Sequence, residues 1–153
     1  MHRLYHRIPP PVVALLVGAL MWGLARISPA IQIDPALRIA VALALVVLGV
    51  ATGVSGVIAF RRSGTTTNPL KPGAASSLVV GGVYRHTRNP MYLGLAIVLL
   101  GWAAYLAAPL ALLGLPIFVL FMTRFQIIPE EAALTELFGQ QFTAYRNRVR
   151  RWL

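Results

Sequence analysis

Two short polar clusters interrupt an otherwise apolar chain, and they are where chemistry could be done. The first is Arg88-Asn89-Pro90-Met91-Tyr92, inside the run GVYRHTRNPMYLG at 82–94. The second is Pro129-Glu130-Glu131. The chain has only four acidic residues, and this adjacent pair is half of them. Carboxylates beside hydrocarbon are costly, so Glu130 and Glu131 read as ligand-binding groups, suited to ribose hydroxyls or a cationic ligand. The purely structural alternative is a helix start, with Pro129 at the first position and the acids favouring the helix dipole. The first cluster divides the same way. Asn89 as N-cap, Pro90 at the first helical position, and Arg88 and Tyr92 as interface anchors make a sound helix start. That start also offers free N–H groups and a guanidinium to an anionic group, with Tyr92 as a further hydrogen-bond donor. His86 reads as a solvated side chain near the headgroups. No nucleophile elbow, phosphate loop or dinucleotide fingerprint is present.

The elements that must position these clusters are apolar runs. The chain is 58% hydrophobic and 12% charged, against about 45–50% and about 25% in a soluble globule. At 153 residues it cannot hide that much apolar surface from water, so the runs read as membrane spans. The expected spans are 12–26, 37–60, 91–107 and 110–128. The first could be taken for a signal peptide, but no convincing cleavage site precedes a soluble domain, and an uncleaved helix is expected. Gly49, Gly53 and Gly56 lie on one flank of the second span and imply close packing against another helix. Ala108-Pro109 forces the third and fourth spans into a hairpin, and Pro116 is expected to kink the fourth. The loop 61–90 is too long and too rich in proline and glycine to be an idle helix. In the tail, Leu134, Phe138, Phe142, Tyr145, Val149 and Trp152 recur at helical spacing, which predicts an amphipathic helix over 130–153 lying on the membrane or on the spans.

The net charge of +10 excludes little by itself, but its placement does. Only Arg26 and Arg38 fall between the first two spans. The other basic residues lie in the N-terminus, the long loop, the end of the fourth span and the tail. That pattern suits a multi-pass protein with both termini cytoplasmic, in a bacterial inner membrane, rather than a nucleic-acid partner. No cysteine is present, and the three histidines show no metal-ligand spacing, so no metal is expected.

The polar run, the hairpin, and then PEEAALTELFGQQFTAYRNRVRRWL together resemble the isoprenylcysteine carboxyl methyltransferase and phospholipid N-methyltransferase superfamily. The similarity covers the chain from about Arg61 onward. It implies a single all-α integral membrane domain over 1–153, with four transmembrane helices, a cytoplasmic cofactor-binding loop and a C-terminal amphipathic helix. It also implies S-adenosylmethionine as cofactor and a membrane lipid or lipophilic small molecule as partner. The residues it implicates in cofactor binding are Ser77, Leu78, Val79, Tyr84, Arg88, Asn89, Pro90, Met91, Tyr92, Glu130 and Glu131. Arg61 or Arg62 matches an arginine near the reacting centre, and Asn68 falls in the same loop. The prenylcysteine enzymes have histidine where this chain has Asn89. They hold the substrate carboxylate with an arginine where this chain has Gln126, with Arg124 two residues earlier. Those departures leave carboxylate and amine acceptors both open. A non-catalytic lipid-binding or assembly protein and a membrane reductase of the sterol-reductase type are the competing readings.

Overall fold

A computed structural model describes residues 8–63 and 77–153, and the regular structure there is entirely helical. The helices are α1 (Pro10–Ile27), α2 (Pro35–Arg62), α3 (Pro90–Leu106), α4 (Gly114–Met122) and α5 (Ile128–Arg148). A short 3-10 turn, Gly82–Arg85, precedes α3, and a second, Pro109–Leu113, leads into α4. A π-turn, Thr123–Ile127, joins α4 to α5. Proline stands in the first turn of α1, α2 and α3, where its missing N–H costs nothing. The Asp34 carboxylate caps α2 by accepting the Leu37 N–H at 3.0 Å. α3 ends at Ala107, whose φ of 49° turns the chain sharply into the Pro109 hairpin.

Four apolar helical stretches result among the described residues. Three are long and apolar enough to cross a bilayer: α1, α2 and the continuous stretch Pro109–Arg148. α3 has 17 residues, about 25 Å at 1.5 Å per residue, a little short of a ~30 Å hydrocarbon core. Leu15, Val47 and Leu120 are 74%, 67% and 68% exposed. Surface of that kind on every helix belongs against lipid, and the chain is a multi-pass membrane protein.

The helices alternate in direction. The start of α1 meets the π-turn, where the Gln126 Nε2 donates to the Ile8 carbonyl at 2.9 Å. At the other end of the bundle the Ile31 N–H donates to the Ala107 carbonyl at 2.8 Å. We call the first the polar end and the second the opposite end. α1, α3 and α4 share one core, which includes Val13, Met21, Leu99, Phe118 and Met122. α2 stands apart from α1 and packs along α3. That seam depends on the absence of side chains. A Cβ on Gly49 would lie 2.6 Å from the Gly94 carbonyl oxygen, and one on Gly94 would lie 2.5 Å from that of Gly49. Gly53 lies beneath Gly94, and Gly56 meets Pro90, so the expected glycine flank is the α2–α3 contact.

The C-terminal part departs from expectation in three ways. First, the fourth apolar helix does not stop before the tail, so Pro129 begins no separate helix. The chain passes Pro129 by widening into the π-turn, where the Ile128 N–H reaches the Thr123 carbonyl. Proline cannot donate to Phe125 and its ring would crowd that carbonyl, and the wider turn relieves both problems. Pro116, the expected kink, is the third residue of α4, just where 3-10 winding gives way to α. Second, Gly139 (φ 48°, ψ −117°) bends α5. Third, the helix ends at Arg148, and 149–153 form an extended strap instead of completing a helix to 153. The apolar face of the tail does not lie on lipid. Leu134, Phe138, Phe142, Tyr145 and Val149 pack on Val79, Tyr84 and Phe60.

The seam gives two substitutions of opposite sign. Gly94→Ala is expected to lower unfolding stability by about 1–3 kcal/mol, because backbone must move. A Cβ on Gly53 would find its nearest neighbour at 4.0 Å. Gly53→Ala is therefore expected to be neutral or stabilising by about 0.5 kcal/mol, through helix propensity. Denaturant titration of both variants in the same detergent checks the pair.

Candidate functional site

The two polar clusters meet at the polar end. The Tyr92 hydroxyl donates to the Glu130 Oε1. Tyr92 is buried in the first turn of α3, and Glu130 is partly buried in the first turn of α5. Among the described residues, no basic side chain pairs with Glu130. Tyr84, from the 3-10 turn, is buried nearby, and its ring stands edge-on to Phe60 at 5.4 Å. Burial above all, with Tyr145 and Glu130 close by, pushes the Tyr84 phenol above its ordinary range, so it stays a neutral donor. Tyr145 donates to the Tyr84 carbonyl at 2.7 Å and holds the turn in place.

Glu131 has the opposite environment. Its carboxylate is bound by the Arg88 Nη2 at 2.7 Å and by Arg151 through Nε at 3.0 Å and Nη2 at 2.7 Å. The hydrogen bonds to Glu131 in turn hold the Arg151 guanidinium above its usual range. The Arg88 Nη1 donates to the Arg146 and Val149 carbonyls at 2.8 and 2.9 Å, and its backbone N–H donates to the Arg150 carbonyl at 3.0 Å. Arg88 is thus committed to the strap. Asn89 occupies the N-cap position of α3, but its side chain does not cap the helix. Its Nδ2 donates instead to the Arg151 carbonyl at 2.9 Å, while its own N–H is satisfied by the Thr87 hydroxyl at 3.2 Å. Trp152 closes the strap by donating to the Thr123 hydroxyl at 3.1 Å. The glutamates do not serve a free helix start, because α5 continues the preceding helix and leaves no open N–H groups there.

The remaining sequence candidates divide into three groups. Val79 is buried and Leu78 packs beside it, while the Ser77 hydroxyl donates to the Ser63 carbonyl at 3.2 Å. Pro90 is buried, and a Cβ on Gly56 would meet its ring at 3.0 Å and the Met91 side chain at 3.1 Å. Gln126 is buried on the π-turn and tied to Ile8. Arg61, Arg62 and Arg124 are exposed and join neither the Tyr92–Glu130 contact nor the Glu131 clasp. Asn68 lies outside the described residues. Sequence reasoning missed Thr87, Arg151 and Gly139. In the sequence Arg151 is one of several basic residues of the tail, and only an isolated glycine after Phe138 hinted at the bend.

The clasp predicts an unequal response. The Arg88 side chain is 9% exposed and that of Arg151 is 34%. Glu131→Gln leaves Arg88 buried without a counter-charge and is expected to cost about 3–5 kcal/mol. Arg151→Gln removes the more solvated partner and is expected to cost about 1 kcal/mol or less. Thermal unfolding of the two variants side by side checks the ranking.

A model of the phospholipid methyltransferase family matches residues 37–141. Among curated proteins, an uncharacterized protein of Haemophilus influenzae is 46% identical over 63 residues, which is 41% of this chain and the whole of that one. Protein-S-isoprenylcysteine O-methyltransferase B of Arabidopsis thaliana is 29% identical over 107 residues, 70% of this chain. The chain matches 54% of that enzyme's length. No solved structure matches the chain. The family match takes in the α2–α3 seam, both polar clusters and the bend of α5. The chain belongs to the phospholipid methyltransferase family.

Proposed function

We propose that the protein is a membrane-embedded methyltransferase that takes a methyl group from S-adenosylmethionine and delivers it to a lipophilic acceptor at the cytoplasmic face. The observation that carries this reading is the carboxylate of Glu130, partly buried, oriented by Tyr92 and without a basic partner among the described residues. A carboxylate in that setting is stabilised by a cationic ligand or by hydroxyl donors. S-adenosylmethionine fits on both counts, through its ammonium and sulfonium charges and its ribose hydroxyls. When bound, it supplies a methyl group made electrophilic by the sulfonium.

The residues of the chain then have separate duties. Glu130 accepts hydrogen bonds from the ligand, and Tyr92 fixes the carboxylate's orientation. Tyr84, Val79 and Leu78 wall the site from the loop side, with Ser77 and Met91 at its edges. Asn89 holds the start of α3 against the strap and Pro90 packs it against Gly56 of α2, while Arg88 and Glu131 tie α5 to the strap. Their contribution is to keep the site rigid and dry, which suits a displacement that depends mainly on alignment. Arg61, Arg62 and Arg124, exposed at the same end, are the groups that meet an acceptor headgroup, and Gln126 lies on the π-turn two residues beyond Arg124. The acceptor is an isoprenylcysteine-type carboxylate or a lipid amine. The cytoplasmic assignment follows the basic residues, of which, among the described residues, only Arg26 and Arg38 belong to the opposite end.

Calorimetry with S-adenosylhomocysteine on the purified protein is the test. Wild type is expected to bind. Glu130→Gln and Tyr92→Phe are each expected to weaken binding about 10–100-fold, the worth of a charge-assisted hydrogen bond, with unfolding behaviour unchanged. A folded wild type that binds neither S-adenosylhomocysteine nor S-adenosylmethionine sinks the proposal.

A further inference from the structure

A second feature, apart from the Tyr92–Glu130 contact, has no part in the chemistry above: it runs along α3 from Leu95 to Tyr105, toward the opposite end of the bundle. α1 and α2 both lean on α3 but not closely on each other, and an apolar groove of about 890 Å³ opens between them. Its walls include Gly18 and Trp22 of α1, Ala42 and Val46 of α2, and its floor includes Leu95 and Trp102 of α3. From Leu95 to Tyr105 the floor runs about 15 Å at 1.5 Å per residue, half of a ~30 Å hydrocarbon core and so the depth of one leaflet. Water has no partners there, and in a bilayer the groove fills with hydrocarbon.

The mouth is not apolar. Each wall carries one arginine there, and each arginine lies over an aromatic ring of the groove. The Arg26 guanidinium is 5.7 Å from the Trp22 ring centre, and that of Arg38 is 5.4 Å from the Tyr105 ring centre. Trp102 and Tyr105 are themselves stacked at 5.4 Å. The Arg38 Nε is buried and has no hydrogen-bond partner among the described residues. The one acid nearby in sequence, Asp34, is turned to the Leu37 N–H and forms no ion pair with either arginine. Two cations, held in place at the end of a leaflet-deep apolar groove, match one kind of molecule: an anion attached to an acyl chain.

We propose that this groove binds an anionic phospholipid, its phosphate between Arg26 and Arg38 and an acyl chain along α3 toward Leu95. A neighbouring helix of a second copy would fill the groove but leave both arginines without an anion, so lipid is the better occupant. The site is independent of the methyl-transfer reading, since a headgroup held here is a leaflet away from Glu130.

Tryptophan fluorescence tests the site directly. Trp22 and Trp102 line the groove, whereas the third tryptophan, Trp152, is tied to Thr123 at the polar end. The full chain is placed in phosphatidylcholine nanodiscs that contain acyl-brominated phosphatidylglycerol or, separately, acyl-brominated phosphatidylcholine. Half-maximal quenching is expected at about a thirtyfold lower mole fraction of the anionic lipid, about fivefold from each arginine. Arg26→Gln alone should remove about a fivefold share, Arg38→Lys should retain the preference, and the double variant Arg26→Gln/Arg38→Gln should abolish it. If the double variant fails to fold, the exposed Arg26→Gln carries the test by itself. Equal quenching by the two lipids in wild type overturns the proposal, as does a preference that survives loss of Arg26. Absence of quenching by either lipid, with cross-linking between chains, overturns it in favour of a second copy in the groove.

Discussion

Glu131 is a carboxylate in a place where a lone carboxylate would be untenable, and two guanidinium groups make it stable. Much of the polar end follows from that one arrangement. Arg88 stands just before α3, Glu131 on α5 and Arg151 on the strap, so a single charge cluster ties three distant segments together. Successive helical residues point about 100° apart. With Glu131 committed to the strap, Glu130 is directed toward α3, where Tyr92 meets it. The two acids therefore differ in role because their neighbours differ: one is neutralised by cations, and the other is left with a phenol.

The bilayer explains where the backbone departs from regular winding. Irregular backbone at membrane depth is tolerated only where other protein covers it. The π-turn meets this condition: Gln126 and Ile127 are buried, and Gln126 is bonded to the start of α1. It also lets the helix run past Pro129 without a break, which carries the glutamates on a rigid support rather than on a loop. The α2–α3 seam obeys the same solvent from the other side. Lipid offers no hydrophobic drive for helices to associate, so contact depends on backbone approach, and the glycines permit it.

The two ends of the bundle are chemically unlike. The polar end holds most of the basic residues and buries part of them in hydrogen bonds to carbonyls and carboxylate. The opposite end holds two arginines supported mainly by aromatic rings. The first is a built interior that fixes the contact between Tyr92 and Glu130. The second is a rim open to lipid. A small chain with four apolar helical stretches can carry both because α1 and α2 use different faces of α3 and leave a groove between them.

The sequence by itself determined the helices, their approximate limits, the hairpin at Ala108–Pro109 and the glycine flank, because hydrophobic run length, proline position and glycine spacing act locally. It also singled out the pair Glu130 and Glu131, since acids are so scarce in this chain that their position is informative. It did not determine which of two adjacent glutamates is left without a cation, nor that Arg88 and Asn89 serve the strap. Those outcomes depend on Arg150 and Arg151, some 60 residues away in sequence, and on bends at the π-turn and Gly139. Periodicity continued the tail helix through Trp152, but hydrogen bonds from Arg88, Asn89 and Trp152 hold those last residues extended. Only the tertiary structure could decide that, because the groups that compete for the strap's backbone come from another part of the chain.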